Sequence, residues 1–343
     1  MGLRKLSFAL FVSAAALALA IPAFAQDATP ELPGDLIIGD LQTPRGIAFD
    51  ENGNLIVTVV GNGGDFTMEM PSPEGEAQTI QIGNTGAVLS VAPDGTVTPL
   101  LQAVPSYASP SEVVGLYRAI PHEGSLWVIT SGGPGFYGSG TILEYDLTTM
   151  RVKTAIAMAG VEIDNNPDGN EIDSNPTDLA WGADGTMYIT DAGANSLYSW
   201  TPEAGLSLVA TWPDNAVPTS VFVADDGDLY VGFLGAGLAP GAGRVERWSN
   251  GELAQTFGGL NAVTDVLVVD GNVYAVELVR FGEQGPGAGG VVLLTEDGSQ
   301  PVADGLVSAF GLAQGPDGNL YVSFGTIAFA PGMTGGVVRL PGM

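Results

Sequence analysis

The stretch "NPTDLAWGADGTMYI" at residues 175–189 decides the fold, because versions of it recur along the chain. It combines a small or proline-containing start, alternating apolar residues, a short glycine turn and a second apolar run. This pattern is typical of a β-hairpin, since glycine adopts the positive φ that tight turns need. The other copies lie at 43–57, 115–128, 217–231, 262–276 and 309–322.

A second alternating segment follows each copy and starts at residues 86, 140, 195, 243, 289 and 335. The sixth, "GGVVRLPGM", has room for one strand only, and "GDLIIGDL" at 34–41 can supply the missing one. The sequence therefore predicts an all-β domain over residues 34–343. We expect a six-bladed β-propeller of four-stranded blades, closed by an N-terminal strand that completes the C-terminal blade. The alternative is a β-sandwich or an open array, and no helix is expected after residue 25.

The first 25 residues are typical of a secretory signal peptide. Arg4 and Lys5 precede an apolar run at 6–20, and Ala23-Phe24-Ala25 is a small-x-small cleavage site. Residues 26–33 are then a linker, and no later segment is long and apolar enough to insert into a membrane. We therefore expect a periplasmic or extracellular protein. The chain has no cysteine, which excludes disulfides and thiolate catalysis.

The charge balance excludes one class of partner. The chain has 10 basic and 38 acidic residues, and cleavage after residue 25 would leave 8 basic and 38 acidic, a net charge of −30. Nucleic acid is excluded as a partner, because binding it requires a basic surface. The acidic surface is compatible with cation binding, although solubility alone also explains it.

Loop lengths differ between the two edges of the predicted blades. The turns within the hairpins are short, whereas the connections at the other edge are long, and long loops usually serve binding. That edge, which we call the long-loop face, is expected to recognise a polar small molecule, a glycan or a protein. Its predicted loops are 61–85, 103–115, 131–139, 158–176, 232–242, 278–288 and 323–334.

Five charged residues are predicted to lie near the propeller axis on the long-loop face. Asp178 and Asp265 occupy matching positions at the start of the innermost strand in the third and fifth blades. Asp191 and Glu277 end the second strand of the same blades, and Arg45 begins the first blade. Converging carboxylates suit a hard cation or a polar ligand. The alternative is that these side chains cap strand ends and bond loop amides.

The loop "EIDNNPDGNEIDSNP" at 162–176 carries half of a calcium-binding spacing. Asp164, Asn166 and Asp168 occupy positions 1, 3 and 5, and a glycine follows at position 6. Position 12 is Asn175, where a bidentate glutamate is usual. These four residues predict a site for a divalent cation, with Ca²⁺ as the first expectation. Asx-rich turns produce the same spacing, because Asn and Asp bond their own backbone.

Several segments resemble the ScyD/ScyE family, whose founding members are encoded in the scytonemin biosynthesis cluster of cyanobacteria. They are "NNPDGNEIDSNPTDLA" at 165–180, "DAGANSL" at 191–197, "AVPTSV" at 216–221 and "PDGNLYVS" at 316–323. The likeness covers nearly all of the chain after residue 25. The resemblance implies an exported, NHL-like six-bladed propeller and an important loop at 165–176. It implies no reaction.

Two functional classes follow from these observations. The first is a non-enzymatic module that binds its ligand or partner on the long-loop face. The second is a metal-dependent hydrolase or lactonase of the gluconolactonase-like propeller type, with a divalent ion held by Asp178, Asp265 and Asn175. A propeller lyase ranks last, because it requires a general base and the sole histidine, His122, is placed in a hairpin turn away from the long loops.

Overall fold

The computed structural model describes residues 31–71, 77–110, 112–131, 140–282, 285–327 and 333–342. The predicted signal peptide at 1–25 and most of the predicted linker at 26–33 lie outside the described residues. Within the described ranges, none of the helices has the length and apolar character needed to cross a bilayer.

The described chain forms six antiparallel sheets, five with four strands and one with six. Strand β1 (Asp35–Leu41) comes first in the chain and belongs to the last sheet. The first sheet contains β2 (Pro44–Phe49), β3 (Leu55–Val59), β4 (Phe66–Pro71), β5 (Ala77–Val91), β6 (Val97–Ala108) and β7 (Val113–Val114). The second contains β8 (Leu116–His122), β9 (Ser125–Thr130), β10 (Thr141–Asp146) and β11 (Val152–Ala157).

The remaining sheets repeat the four-strand order. The third contains β12 (Pro176–Trp181), β13 (Met187–Asp191), β14 (Ser196–Thr201) and β15 (Gly205–Thr211). The fourth contains β16 (Pro218–Val223), β17 (Leu229–Phe233), β18 (Gly243–Ser249) and β19 (Glu252–Leu260). The fifth contains β20 (Val263–Val269), β21 (Asn272–Gly282), β22 (Gly285–Thr295) and β23 (Gly298–Leu306). The sixth contains β24 (Leu312–Gln314), β25 (Leu320–Phe324) and β26 (Gly335–Leu340), with β1 beside β26.

The first strands of consecutive sheets contact one another in a circuit. Strand β2 contacts β8, β8 contacts β12, β12 contacts β16, β16 contacts β20, β20 contacts β24, and β24 contacts β2. The predicted donation of the N-terminal strand is also present, since Asp35 pairs with Arg339 and Leu41 with Gly335. This nearly all-β arrangement is consistent with a six-bladed β-propeller.

Threonine side chains on the inner strands connect adjacent sheets. In three successive sheets, the threonine in the second position of the first strand donates to a carbonyl of the next sheet or of the segment leading into it. The bonds are Thr177 to Pro218 O (3.2 Å), Thr219 to Val263 O (2.7 Å) and Thr264 to Phe310 O (2.8 Å). Because these atoms are buried, the bonds offset the cost of removing the carbonyls from water.

The hydrophobic core lies between neighbouring sheets. One cluster joins Ile129 of β9 to Met187 and Ile189 of β13, and another joins Val291 of β22 to Val322 of β25. All five side chains are completely buried. Each contributes about 1.5–3 kcal/mol relative to exposure, so the alternating apolar residues of the repeats hold the sheets against each other.

The expectation of no helix after residue 25 is wrong. Helix α1 covers Met158–Asn165, and a single 3-10 turn covers Ala236–Leu238. The apolar Met158 of α1 is buried in the core, and Asn166 ends the helix in the left-handed conformation, at φ 37°. Eight residues are too few for a helical period to stand out in a glycine-rich sequence.

Three segments predicted as loops contain strands instead. Strand β4 pairs with the first part of β5 within 61–85, and the ends of β6 and β7 pair within 103–115. Strands β21 and β22 continue their ladder through 278–288, as far as Gly282 opposite Gly285. Neighbouring antiparallel strands can extend in this way without a new connection. Glycines interrupt the alternation in 61–85 and 278–288 and hid the extension there, because glycine has a low preference for strands.

Removing β1 tests the pairing that joins the two ends of the chain. A variant that begins at Gln42 should melt more than ~5 °C below one that begins at Leu32, because β26 then has an unpaired edge and Leu41 is lost from the core. Thermal unfolding by circular dichroism and size-exclusion chromatography provide the readout. Equal melting temperatures and equal monomer content in the two variants would contradict the role given to β1.

Candidate functional site

Arg118, Asp178 and Asp265 form an ion-pair group between the inner strands, which we call the axial cluster. Arg118 of β8 places Nε 2.9 Å from Asp178 Oδ1 and Nη1 2.9 Å from Asp265 Oδ2. The side chains of Asp178 and Asp265 are 2% and 1% exposed, and that of Arg118 is 14% exposed. The structure thus brings together two of the predicted axial residues through an arginine that the sequence analysis did not name.

The two aspartates also bind backbone amides of adjacent sheets. Asp178 accepts from Leu179 N at 2.7 Å and from Val221 N of β16 at 3.0 Å. Asp265 accepts from the amide of the following residue at 2.9 Å and from Leu312 N of β24 at 2.8 Å. Each carboxylate therefore joins its own sheet to the next one, in addition to holding Arg118.

Burial acts against ionisation in the axial cluster. It raises the pKa of Asp178 to about 7, although Arg118 lowers it and Asp265 raises it further. Burial likewise raises the pKa of Asp265 above its ordinary value, and Arg118 again opposes the shift. One guanidinium thus serves two carboxylates, and the charge of the group depends on pH.

The register of the inner strands explains how this group is assembled. Equivalent positions in the six sheets hold a glycine, Arg118, Asp178, a serine, Asp265 and a second glycine. These positions are equivalent because the residue that follows each of them pairs with the corresponding residue of the second strand in its sheet. A Cβ on Gly46, the first of these glycines, would lie 2.7 Å from Arg118 Cγ. Aligning the six sequence copies residue by residue would have placed Arg118 in the same column as the two aspartates.

Arg45 lies one position before that column and takes no part in the axial cluster. Its side chain is 8% exposed, and Nη2 donates to Val113 O at 2.7 Å. The guanidinium carbon lies 5.0 Å from the ring centre of Tyr117 and 5.6 Å from that of Phe310. Among the described residues, its Nε has no hydrogen-bond partner and its guanidinium makes no ion pair within 4.0 Å.

Glu112 is an acidic residue on which Arg45 acts electrostatically. Burial raises the pKa of Glu112, and Arg45 opposes that shift. Arg45 and Tyr117 lie in the second position of β2 and β8, Phe310 lies two residues before β24, and Glu112 lies next to β7. We call these four residues the axial mouth.

Asp191 and Glu277 occupy equivalent positions and make equivalent local contacts. Asp191 accepts from Asn175 N at 2.6 Å and from Ser174 Oγ at 2.6 Å. Glu277 accepts from Asn261 N at 2.8 Å and from Arg280 Nε at 2.8 Å. Each carboxylate thus binds the amide that precedes its inner strand, and neither makes a contact with Arg118 among the bonds of the described residues.

The residues with calcium-like spacing take different positions in the loop. Asp168 Oδ2 accepts from Asn170 Nδ2 at 2.9 Å and from Asn195 Nδ2 at 2.8 Å, and Asn166 Nδ2 donates to Asn170 O. Asp164 is exposed, and Asn175 contacts Asp191 through its backbone. Within the ranges that the structure describes, three or more His, Cys, Asp or Glu side chains are nowhere grouped to hold a metal ion. The loop contacts do not assemble the expected ligand set, and Ca²⁺ binding stays a prediction.

Glu162 of α1 is a buried acid that the sequence analysis did not single out. Glu162 is 1% exposed, and neither of its carboxylate oxygens has a hydrogen-bond partner among the described residues. Burial raises the pKa of Glu162 to about 8, and nearby acidic residues, Asp191 first, add to the shift. Burial also raises the pKa of Asp173 to about 7. An acidic loop is normally taken for a solvated one, which is why both residues were missed.

No protein-family model matches the chain, and no curated protein matches it. Solved structures do match. A protein from Thermus thermophilus assigned as an oxidoreductase (glucose dehydrogenase) has a TM-score of 0.56 at 14% identity and covers 90% of this chain and 99% of its own. The gluconolactonase from Xanthomonas campestris has a TM-score of 0.54 at 14% identity, with 90% and 88% coverage. A further protein assigned as a gluconolactonase has a TM-score of 0.55 at 14% identity, with 93% and 96% coverage.

These proteins are β-propellers, and at this identity the likeness shows the fold alone. It does not extend to their reactions or substrates.

Replacing Arg118 by Met tests the axial cluster. The substitution leaves two buried carboxylates without a cation, so the free energy of unfolding should fall by about 3–5 kcal/mol near neutral pH. The loss should be smaller at about pH 5 than at about pH 8, because raised pKa values let the carboxyls become neutral in acid. Urea unfolding at both pH values measures it.

Arg247→Met is the matched control for that variant. Arg247 pairs with Asp228 but is 37% exposed, so its replacement should cost at most about 1 kcal/mol. Equal losses in the two variants would show that Arg118 contributes no more than an exposed ion pair.

Replacing Glu162 by Gln tests the buried acid of α1. The folded state raises the pKa of Glu162 to about 8, so ionisation opposes folding increasingly as the pH rises from the ordinary value towards 8. Glu162→Gln should therefore melt several degrees above the wild type at about pH 9 and show little difference at about pH 4. Scanning calorimetry with EGTA present is the measurement. Glu171→Gln, at an exposed position of the same loop, should show no such dependence.

Proposed function

We propose that this chain is an exported, closed six-bladed β-propeller of the ScyD/ScyE type that acts as a binding module. Its ligand is a polar small molecule, a glycan or a protein segment, and it binds at the axial mouth on the long-loop face. The circuit of contacts between the inner strands and the pairing of β1 with β26 support closure of the ring. The resemblance of the loop at 165–176 to the family segment supports the family.

The observation that carries the proposal is the contrast between the two arginines near the axis. Arg118 is neutralised by two carboxylates, whereas Arg45 is buried without an ion-pair partner among the described residues. A buried guanidinium without a counter-charge is costly for the folded state. A ligand that binds the guanidinium would compensate this cost, which is a physical reason for an arginine at the entrance to the axis.

The bonds of Asp178 and Asp265 favour binding over hydrolysis. A gluconolactonase-like mechanism would place a divalent ion on these two residues and Asn175. In the structure Asp265 accepts a hydrogen bond from Arg118, and Asp178 forms an ion pair with it. Each carboxylate also accepts hydrogen bonds from two backbone amides. His122 lies on the hairpin-turn side of the second sheet and stacks on Trp181, with ring centres 3.9 Å apart.

A ligand panel with a positional readout tests the proposal. Purified chain without residues 1–25 would be screened by thermal shift against neutral sugars, glycans, organic acids and amines. We expect at least one saturable ligand that protects residues 103–115 and 158–176 from hydrogen–deuterium exchange, because these segments lie on the long-loop face. The hairpin turns at 50–54 and 183–185 are the internal control. Protection confined to those turns would contradict the proposed face.

The same panel includes calcium chloride and EGTA, since we retain Ca²⁺ at Asp164, Asn166, Asp168 and Asn175 as part of the proposal. A rise in melting temperature with calcium chloride that Asp164→Asn abolishes would support a loop site. Identical melting in calcium chloride and in EGTA would remove the cation from the proposal.

A further inference from the structure

The basic residues of this acidic chain are almost all paired. The described ranges contain eight of them, and six form ion pairs with carboxylates: Arg118, Lys153, Arg244, Arg247, Arg280 and Arg339. Arg151 is exposed and therefore solvated. Arg45 alone among these eight combines burial, at 8% exposure, with the lack of a carboxylate partner in the described chain. Pairing with a carboxylate of the described chain therefore does not explain why Arg45 is buried.

Two aromatic rings lie beside the Arg45 guanidinium but do not neutralise it. Tyr117 and Phe310 lie 5.0 and 5.6 Å from its central carbon and pack against each other edge to face at 5.4 Å. A cation–π contact compensates only part of the lost hydration of a guanidinium. The guanidinium therefore lies beside two rings in a site from which most water is excluded.

The hydrogen bonds of Arg45 leave donors available. A guanidinium has five N–H donors, and one of them bonds Val113 O through Nη2. The Nε–H is buried and has no acceptor among the described residues. An unsatisfied buried donor of this kind is stabilised by an acceptor that arrives with a ligand.

The nearby carboxylates do not serve as that acceptor for Arg45. Glu112 responds to Arg45 electrostatically, yet no ion pair joins them within 4.0 Å in the described structure, and burial raises the pKa of Glu112. Asp178 and Asp265 pair with Arg118, and all three lie one position further along their inner strands than Arg45 does in β2.

We propose that Arg45 anchors the carboxylate group of a small organic acid at the axial mouth. The planar fork of a guanidinium can bond both oxygens of a carboxylate at once, and two aromatic rings lie beside that fork. This inference rests on the proposed binding function and names the chemical class of its ligand. The strongly acidic surface would repel such a ligand in bulk, so recognition depends on one buried cation.

Two arginine variants separate a ligand anchor from a structural cation. Met in place of Arg45 removes an unpaired buried charge and packs between two rings, so Arg45→Met should melt at or above the wild-type temperature. Arg118→Met should melt far below it. A fall in melting temperature for Arg45→Met equal to that for Arg118→Met would overturn the inference, since it would make Arg45 a structural residue.

Binding is measured with acetate, succinate and citrate as probes, by isothermal titration calorimetry and thermal shift at constant ionic strength. Sodium chloride corrects for screening, and sodium sulfate reports a tetrahedral anion. We expect saturable binding of at least one carboxylate by the wild type, weakened by about tenfold or more in Arg45→Met and by less in Arg45→Lys, which keeps the charge without the fork. Arg247→Met should bind as the wild type does.

In the titrations with carboxylates and salts, three outcomes would overturn the inference. They are carboxylate effects no larger than those of chloride, sulfate binding as tight as carboxylate binding, and equal affinities in wild type and Arg45→Met. A neutral ligand that protects the long-loop face and binds Arg45→Met unchanged would overturn the carboxylate anchor and leave the binding function in place. The failures of the two proposals are thereby distinguishable.

Discussion

The ion pair of Arg118 with Asp178 and Asp265 is the interaction on which the centre of the molecule depends. The three side chains come from the second, third and fifth sheets, and the two aspartates also bind amides of the fourth and sixth. The first sheet contributes Gly46, whose lack of a side chain leaves space for Arg118. The first strands of the six sheets contact one another in a circuit, and there is room for few side chains between them. A charged group in that position must satisfy its neighbours from several sheets at once.

The same constraint explains why neighbouring positions of the repeat differ in role. Arg118, Asp178 and Asp265 share one column and contact one another, and three threonines one position earlier bond the next sheet or the segment leading into it. Thr177 and Thr264 use a hydroxyl for that contact. At the same position in the first sheet, Arg45 contacts Val113 O and still has a buried donor without an acceptor among the described residues. A one-residue offset thus separates a cation paired with two carboxylates from a buried cation that has no carboxylate within 4.0 Å among the described residues.

The sequence predicted the sheets better than the site, for a physical reason. Strand alternation and glycine turns repeat in every blade, so the hairpins and the pairing of β1 with β26 could be read directly. Asp178 and Asp265 were located because two acidic residues recur at one position of the repeat, whereas Arg118 at that same position has the opposite charge and does not match them. Helix α1 was missed because eight residues carry no clear helical period, and the extended β21–β22 hairpin was missed because glycines interrupt its alternation.

Burial rather than residue type decides what the charged groups of this chain do. Asp191 and Glu277 looked like site residues in the sequence, yet their oxygens accept local amides and side chains. Glu162 looked like part of a solvated loop, yet its carboxyl is buried without a partner among the described residues. Arg45 is the cationic counterpart of that situation. Most substitutions at such a position would remove the cost of an unpaired charge, so the proposed ligand, and not stability, is the reason we give for the arginine.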